Sequence, residues 1–195
     1  MADRPLMISI AGPNGAGKST FYRMHLADVR LPFINADEIA EHDGCDAYTA
    51  AARAENKRLM FVAMRTSFVF ETVLSDPEGE KVSFIKLAQD KGYDTILVFI
   101  GISSPDQSEQ RVCMRVSKGG HDVPTEKILS RYPRTMDNLV RAIRTLPDVR
   151  VYDNSLNGQA HRLIAMFKDG IAVRLSDSIP PWFVEILDRL GKSET

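Results

Sequence analysis

The sequence has few of the features that mark secreted, metal-bound or membrane proteins. Its 195 residues include only two cysteines, Cys45 and Cys113, which lie far apart and outside any metal-ligand spacing. Neither a disulfide framework nor a zinc site is therefore expected. The longest apolar run, around residues 96–102, is far shorter than the roughly 18 residues that a membrane-spanning helix needs. No signal-peptide layout precedes the first strand-like segment, so we expect a cytoplasmic protein without a membrane partner.

Charge of one sign is also not in excess over the whole chain. The 25 Lys and Arg residues nearly balance the 26 Asp and Glu residues, which gives a formal net charge of −1. This balance argues against a protein that binds nucleic acid over a broad basic surface, although it leaves a local basic patch open. The hydrophobic fraction of 44% is ordinary for a globular protein, and the length suits one domain over residues 1–195.

Apolar runs typical of buried strands alternate with segments of helical spacing along the chain. Strands are predicted at residues 6–11, 32–35, 67–70, 94–101 and 149–152, and helices at 18–26, 46–65, 77–91, from 104, from 124 and at 180–190. This alternation predicts an α/β fold, a three-layer α/β/α sandwich with a mainly parallel sheet that binds ligands at the carboxyl ends of its strands. Lys168-Asp169-Gly170 predicts a C-terminal hairpin. Pro133 is expected to kink or split the helix that follows Pro124.

A phosphate-binding loop is the most specific motif in the sequence. It reads Gly12-Pro13-Asn14-Gly15-Ala16-Gly17-Lys18-Ser19-Thr20 and follows the pattern G-x-x-x-x-G-K-[ST], after an apolar strand and before a helix. Glycines let the backbone N–H groups of such a loop point inward at a phosphate chain, and the following helix adds the positive end of its dipole. Lys18 then contacts the β- and γ-phosphates, and the Ser19 hydroxyl binds Mg²⁺. The motif predicts a P-loop NTPase fold that binds ATP or GTP with Mg²⁺.

The same letters occur in the P-loop of ABC-transporter ATPases, which carry two further motifs. Their Leu-Ser-Gly-Gly-Gln signature has its nearest counterpart here in Ser117-Lys118-Gly119-Gly120-His121. An apolar strand that ends in Asp-Glu should follow, but this chain continues with Val123-Pro124-Thr125-Glu126. The missing contexts argue against an ABC ATPase.

Two carboxylates follow predicted strands at the positions where a P-loop sheet holds its substrates. Asp37, just after the second strand, either accepts the proton of a substrate hydroxyl or only caps the next short helix, and we favour the first. Glu71 ends the third strand and either faces solvent or, as we favour, holds the water shell of Mg²⁺ or binds substrate hydroxyls. Thr72 and Ser75 follow it and are expected to bind substrate as well.

Basic residues are concentrated in the segment that we expect to form a helical lid, about residues 104–145. Between residues 111 and 144, eight basic and three acidic side chains give a charge of +5: Arg111, Arg115, Lys118, Lys127, Arg131, Arg134, Arg141 and Arg144 against Asp122, Glu126 and Asp137. Each charge taken singly fits a solvated helix face. As a group they predict that at least two arginines stabilise the charge on the transferred phosphoryl group. Gly119-Gly120 is the expected hinge of the lid.

In their order along the chain, these segments resemble the zeta-toxin family of P-loop kinases, and in particular its short chromosomal branch, which is often labelled as ABC-type ATPases. The matching stretches are 12–20, 34–37, 70–75, 111–124, 131–132, 138–139 and 151–155, and the resemblance extends from residue 6 to about 190. It implies a kinase-type core sheet of five parallel strands and phosphorylation of a sugar hydroxyl. In the toxins of this family the substrate is UDP-N-acetylglucosamine. The resemblance leaves two alternatives open, a toxin with an antitoxin protein as its partner and a housekeeping enzyme.

The resemblance also implies roles for individual residues. Lys18 and Ser19 match the phosphate and Mg²⁺ positions, Asp37 matches the general base, and Glu71 with Thr72 matches the substrate-binding end of a strand.

Arginines of the lid match the family pattern less directly. Arg111 or Arg115 matches the first lid arginine, and the second is expected near His121. Because the spacing changes there, Arg131 or Arg134 is its expected replacement. His121 itself is expected to contact substrate or to cap a helix.

Three functions are compatible with these residues. The first hypothesis is an ATP- or GTP-dependent kinase that phosphorylates a hydroxyl of a small molecule, such as UDP-N-acetylglucosamine or a related nucleotide sugar. In this hypothesis Asn154, in the loop 152–155, contacts the nucleotide base. The alternatives are a kinase of polynucleotide ends or of another metabolite, and a nucleotide-binding switch that transfers nothing. Net charge and the lack of an aromatic-rich basic groove argue against nucleic acid as a substrate.

Overall fold

A single mixed sheet forms the centre of the computed structural model, which describes residues 4–120, 122–156, 158 and 160–192. Its strands in these ranges are β1 (Leu6–Ala11), β2 (Phe33–Ile34), β3 (Phe68–Thr72), β4 (Asp94–Gly101), β5 (Asp148–Asp153), β6 (Arg162–Lys168) and β7 (Ile171–Leu175). They lie in the order β2-β3-β1-β4-β5-β6-β7, with parallel pairing from β2 to β5 and antiparallel pairing beyond. The predicted core of five parallel strands and the C-terminal hairpin are both confirmed.

Helices in the same ranges connect the strands. They are α1 (Lys18–His25), α2 (Ala36–Asp43), α3 (Ala47–Ala63), α4 (Glu80–Asp90), α5 (Pro105–Val116), α6 (Thr125–Thr145) and α7 (Pro181–Gly191), with a 3₁₀ turn at Ala27–Val29. Side-chain caps begin several of them: Asp46 accepts hydrogen bonds from two N–H groups at the start of α3, and Ser104 accepts one at the start of α5. None of the described helices is long and apolar enough to span a bilayer.

Two apolar layers, one on each face of the sheet, make up the core. Neighbouring residues of a strand point to opposite faces. Met7 and Phe99 accordingly belong to the layer that packs against α3, α4, α6 and α7, whereas Ile8 and Ile100 belong to the layer beside Phe21 of α1. The sheet thus has helices on both faces, which confirms the predicted three-layer α/β/α sandwich.

The helix α6 is continuous across Pro133, so this proline does not split the helix, and the alternative of a kink stays a prediction. A proline inside a helix removes one backbone hydrogen bond and costs about 3 kcal/mol. Here Ile128, Met136, Leu139 and Ile143 are all buried at helical spacing, with turns on both sides of the proline. Burial of that apolar face holds the two halves of the helix against the sheet and offsets the local cost.

Candidate active site

The loop between β1 and α1 has the backbone shape that phosphate binding requires. Gly12 and Gly17 have φ angles of 145° and 91°, and a Cβ on Gly12 would lie 2.1 Å from the carbonyl oxygen of Ile100. Only glycine therefore fits at Gly12. α1 begins at Lys18, whose side chain is buried and whose Nζ donates a hydrogen bond of 3.0 Å to the carbonyl of Pro13. The N-terminus of α1 thus adjoins the loop, as the motif predicts.

Side chains from distant parts of the chain hold this loop in place. Ser108 of α5 donates a hydrogen bond to the carbonyl of Asn14, and Asn154 donates one of 2.8 Å to the carbonyl of Ala16. Nε2 of His161 lies 3.2 Å from the carbonyl oxygen of Gly17. Asn154 therefore has a structural role that sequence reasoning missed, and its contact with the nucleotide base stays a prediction.

Glu71 lies directly against the loop because β3 continues through it. β3 pairs with β1 so that Glu71 is opposite Ile10. Its Oε2 accepts hydrogen bonds from the Ser19 hydroxyl (2.8 Å) and from Nδ2 of Asn35 (3.1 Å), and its Oε1 is 3.8 Å from Nζ of Lys18. The Ser19 hydroxyl and the Glu71 carboxylate are hard oxygen ligands brought together beside the phosphate loop. They fit Mg²⁺ and would hold it directly or through its water shell.

Asp37 is not the cap of the helix that follows β2, so the alternative role considered for it was wrong. The N-cap of α2 is Asn35, whose Oδ1 accepts a hydrogen bond of 2.8 Å from the backbone N–H of Asp37. Asp37 is the second residue of the helix, and its side chain lines the same cavity as Lys18 and Glu71. The capping role falls to Asn35, and a role of Asp37 as the base stays a prediction.

Opposing effects act on the charge of Lys18. Burial lowers the pKa of Lys18, while the carboxylates of Glu71 and then Asp37 act in the opposite direction. The nearby Arg115 adds to the lowering. Nζ of Lys18 thus lies in a poorly solvated place near two carboxylates, where a charge interacts strongly with a phosphate.

A cavity of about 370 Å³ opens beside the phosphate loop. Its wall is formed by the loop, by the ends of β2 and β3, by one side of α3, and by residues around the start of α6. The residues that line it are Asn14, Gly15, Lys18, Asn35, Ala36, Asp37, Ala47, Ala51, Ala54, Glu55, Arg58, Glu71, Thr72, Val73, Lys81, Arg115, Asp122, Val123, Pro124, Lys127 and Arg131. This volume suits a small molecule.

The structure brings two of the four predicted lid arginines to this cavity. Arg115 and Arg131 line it. Arg111 lies instead against Gly15, where the Cβ that Gly15 lacks would be 3.0 Å from that of Arg111, and its guanidinium is 3.4 Å from the carbonyl of Ser155. Arg134 is not among the lining residues, and its Nη2 is 3.5 Å from the Ser130 hydroxyl of its own helix.

Of the remaining predicted site residues, some line the cavity and others do not. Thr72 lines the cavity, and its hydroxyl accepts a hydrogen bond of 3.1 Å from the N–H of Leu74. Ser75 is not among the lining residues, and Thr20 is exposed on α1, so substrate or nucleotide contact by either stays a prediction. His121 lies outside the described residues.

Two residues important for the site were not assigned a role from the sequence. Asn35 joins the cap of α2 to Glu71 through the two ends of one amide. Its signal was present, because Asn is a preferred N-cap and precedes a helical segment. Arg58 of α3 lines the cavity although it is only 6% exposed. Little in the sequence indicated this position, since an arginine in a polar helix normally faces solvent.

A comparison of the sequence with models of known protein families finds a match. Residues 44–162 match the family model for the zeta toxin. The chain belongs to the zeta toxin family. The matched segment spans more than half of the chain and begins after the phosphate loop and Asp37. The family assignment and the loop are therefore independent observations, and together they confirm the resemblance drawn from the motifs. Comparison with curated sequences finds no match.

Solved structures support the zeta-toxin-like P-loop kinase fold. A chain of the PezAT chromosomal toxin–antitoxin system of Streptococcus pneumoniae is 18% identical, with a TM-score of 0.56 over 97% of this chain and 79% of that one. The AvrRxo1-ORF1:-ORF2 complex matches with 14% identity and a TM-score of 0.59 over 96% and 63%. A gluconokinase from Sinorhizobium meliloti matches with 17% identity and a TM-score of 0.52 over 80% and 86%. At these identities the likeness concerns the fold.

Proposed function

We propose that this zeta toxin family member transfers the γ-phosphoryl group of ATP or GTP to a hydroxyl of a small molecule, with UDP-N-acetylglucosamine or a related nucleotide sugar as the first candidate. The observation that carries the proposal is the placement of two carboxylates around Lys18. Glu71 is engaged with the Ser19 hydroxyl, whereas Asp37 lines the cavity and is relieved of helix capping by Asn35. One carboxylate is thus suited to a metal ion and the other to a proton.

The chemistry divides among the residues of the site. The backbone of residues 12–17 and Lys18 bind the nucleotide phosphates, and Ser19 with Glu71 would hold Mg²⁺, which neutralises charge on the β- and γ-oxygens when bound. Asp37 accepts the proton of the acceptor hydroxyl. The oxygen of that hydroxyl forms a bond to the γ-phosphorus, while the bond between the γ-phosphorus and the oxygen of the β-phosphate breaks. Arg115 and Arg131 stabilise the charge on the transferred group. The products are ADP or GDP and a phosphate ester.

The walls of the cavity favour a small acceptor over the end of a polynucleotide. Proteins that bind single-stranded nucleic acid combine a basic groove with aromatic side chains on which bases stack. Among the described residues, no aromatic side chain lines this cavity. A volume of about 370 Å³ lies within the range of sites that bind small molecules.

A transfer assay tests the proposal. Purified protein is incubated with Mg²⁺ and ATP or GTP, with and without UDP-N-acetylglucosamine, and the sugar nucleotide is examined by mass spectrometry. We expect a gain of one phosphate that Lys18→Ala abolishes. Lys57→Ala on the exposed side of α3 is the matched control and should retain the gain. Nucleotide binding without transfer to this or any other hydroxyl acceptor would contradict the kinase and favour a nucleotide-binding switch.

We also propose a protein partner that blocks the site. Two of the structurally similar proteins come from a toxin–antitoxin system and from a two-component complex. Expression of the wild-type chain should then slow growth, and Lys18→Ala should not. Copurification of the expressed chain from its native host with a second small protein that restores growth would support this partner. Full growth with active enzyme present would contradict a toxic role.

A further inference from the structure

Arg58 occupies a position where α3 otherwise buries small or apolar residues. The buried positions of this helix are Ala50, Ala54, Arg58 and Val62, which repeat every four residues on one side. The side chain of Arg58 therefore points to the interior rather than to water. Burial lowers the pKa of Arg58, and the charge of Glu55 acts in the opposite direction. A cation at such a position is costly unless something compensates its charge.

The immediate surroundings of Arg58 are aromatic. Its guanidinium carbon lies 5.3 Å from the ring centroid of Phe70 and 5.9 Å from that of Phe84. These cation–π contacts attract the guanidinium but do not satisfy its N–H donors with an oxygen acceptor. Within the described part of the chain, no carboxylate or carbonyl oxygen forms a hydrogen bond or ion pair with Arg58. Its five N–H donors are therefore not satisfied by these residues.

Two lysines of the cavity wall differ in this respect. Lys18 lies 3.8 Å from Glu71, and Lys81 lies 3.8 Å from Glu55. Each of these lysines thus has a carboxylate within 3.8 Å, whereas Glu55 acts on Arg58 only through its charge and forms no ion pair with it. A methionine at position 58 would fill the same space without a desolvated charge, so packing alone does not explain the arginine.

The cavity offers the missing acceptor. Arg58 lines it together with Ala47, Ala51 and Ala54, which lie on the same side of α3. The short side chains of the three alanines leave room for a ligand beside α3, and Arg58 follows them along the same side of the helix. Phe70, whose ring contacts the guanidinium, belongs to β3, and the end of this strand forms part of the cavity wall. The arginine is thus held in the wall of the same cavity as Lys18, Asp37 and Glu71.

We infer that Arg58 binds an oxyanion of the acceptor, a carboxylate or a phosphate, and so selects acceptors that carry this group on the same molecule as the hydroxyl to be phosphorylated. The planar fork of a guanidinium matches both oxyanions with two parallel hydrogen bonds. This inference rests on the proposed kinase function, and it names Arg58 as the residue that determines specificity. Arg58 takes no part in the transfer itself.

Matched pairs of acceptors test the inference. Gluconate is compared with sorbitol, and N-acetylglucosamine 1-phosphate with N-acetylglucosamine, so that each pair differs in one oxyanion. Transfer from ATP is measured for the wild type, Arg58→Met, Arg58→Lys and the control Arg53→Met, which changes an exposed arginine of the same helix. We expect Arg58→Met to raise KM for the favoured anionic acceptor by roughly tenfold or more with little change in kcat. Arg58→Lys should recover part of the loss, and Arg53→Met should behave as the wild type.

Direct binding separates this inference from the kinase proposal. Titration calorimetry with gluconate and with N-acetylglucosamine 1-phosphate needs no turnover, and ATP binding and the thermal midpoint report whether each variant is folded. The inference is supported if the wild type binds either anion and Arg58→Met loses this binding but retains its affinity for ATP, even if no transfer is detected. The anion that is bound shows whether the oxyanion is a carboxylate or a phosphate. The inference is overturned if folded Arg58→Met binds both anions as the wild type does, whether or not the protein is a kinase. If Arg58→Met does not fold, the same comparison is made with Arg58→Lys.

Discussion

The amide of Asn35 donates a hydrogen bond of 3.1 Å to the carboxylate of Glu71. Its other end accepts the hydrogen bond that begins α2, from the N–H of Asp37. One side chain thus sets both the carboxylate beside Ser19 and the start of the helix that carries the proposed base. The spacing of the two carboxylates depends on a residue that need not touch any substrate.

This relationship predicts a double effect of Asn35→Ala. Loss of the cap should lower the free energy of unfolding by about 1 kcal/mol, and release of Glu71 and α2 should lower kcat as well. Asp46→Ala removes a cap of the same kind from α3 without a bond to Glu71, so it should lower stability but retain kcat. Urea denaturation and the transfer assay measure the two quantities. Equal kcat values for the two variants would show that the Glu71 contact is unimportant.

Asp37→Asn should separate turnover from nucleotide binding. The amide keeps the shape of the side chain but accepts no proton, so we expect kcat to fall by roughly 10²–10⁴ while the Kd for ATP stays unchanged. Glu38→Gln is the matched control, because Glu38 is the next residue of α2 and is not among those lining the cavity. A nearly normal kcat for Asp37→Asn would remove Asp37 as the base.

Glu71→Gln should change the dependence of turnover on Mg²⁺. The hydroxyl of Ser19 and the carboxylate of Glu71 are 2.8 Å apart, and loss of the negative charge should raise the Mg²⁺ concentration needed for half-maximal rate severalfold. Glu41→Gln, an exposed change on α2, should leave this concentration unchanged. A Mg²⁺ titration at saturating ATP measures the effect. An unchanged midpoint for Glu71→Gln would place the metal elsewhere.

His161 should make the stability of the protein depend on pH. Burial lowers the pKa of His161, although its bond to the Gly17 carbonyl acts in the opposite direction. The neutral ring is therefore preferred in the folded state, and the stability that this provides is present above pH about 6.5 and is lost as pH falls through the lower, folded-state pKa. His161→Gln cannot titrate, so its free energy of unfolding should fall less between pH 7.5 and pH 5. The free energies of unfolding are measured by urea denaturation. Equal decreases for the wild type and His161→Gln between pH 7.5 and pH 5 would show that His161 does not cause the pH dependence.

The elements of the fold followed from local patterns, whereas the contacts within the site did not. β4 was predicted with its observed bounds, Asp94–Gly101, because a run of β-branched and apolar residues between polar ends has few alternatives. For α2, only Asp37 was considered as a cap from the sequence, although Asn35 is an equally good capping residue. The backbone conformation at Asn35, whose side chain accepts the N–H of Asp37, decides between them. The bond from Asn35 to Glu71, which are far apart in sequence, could not be foreseen.

The lid arginines illustrate a similar limit. Helical spacing put Arg111 and Arg115 on one face of α5, and both do lie near the phosphate loop. Whether each faces Gly15 or the cavity depends on how α5 crosses the loop, which spacing does not encode. Arg58 was overlooked for the opposite reason. Its helix was correctly predicted, but an arginine among polar residues is normally solvated, and only the packing of Phe70 and Phe84 buries it.

The supports of the phosphate loop come from the other end of the chain. Asn154 and His161 contact it across sequence separations of 138 and 144 residues. Closing a loop over such a separation costs chain entropy, which contacts elsewhere in the fold must offset. A fragment that stops before residue 154 would contain the whole nucleotide motif yet lack these two contacts. We therefore expect the motif to depend on the rest of the fold, so that such a fragment binds nucleotide more weakly than the whole chain.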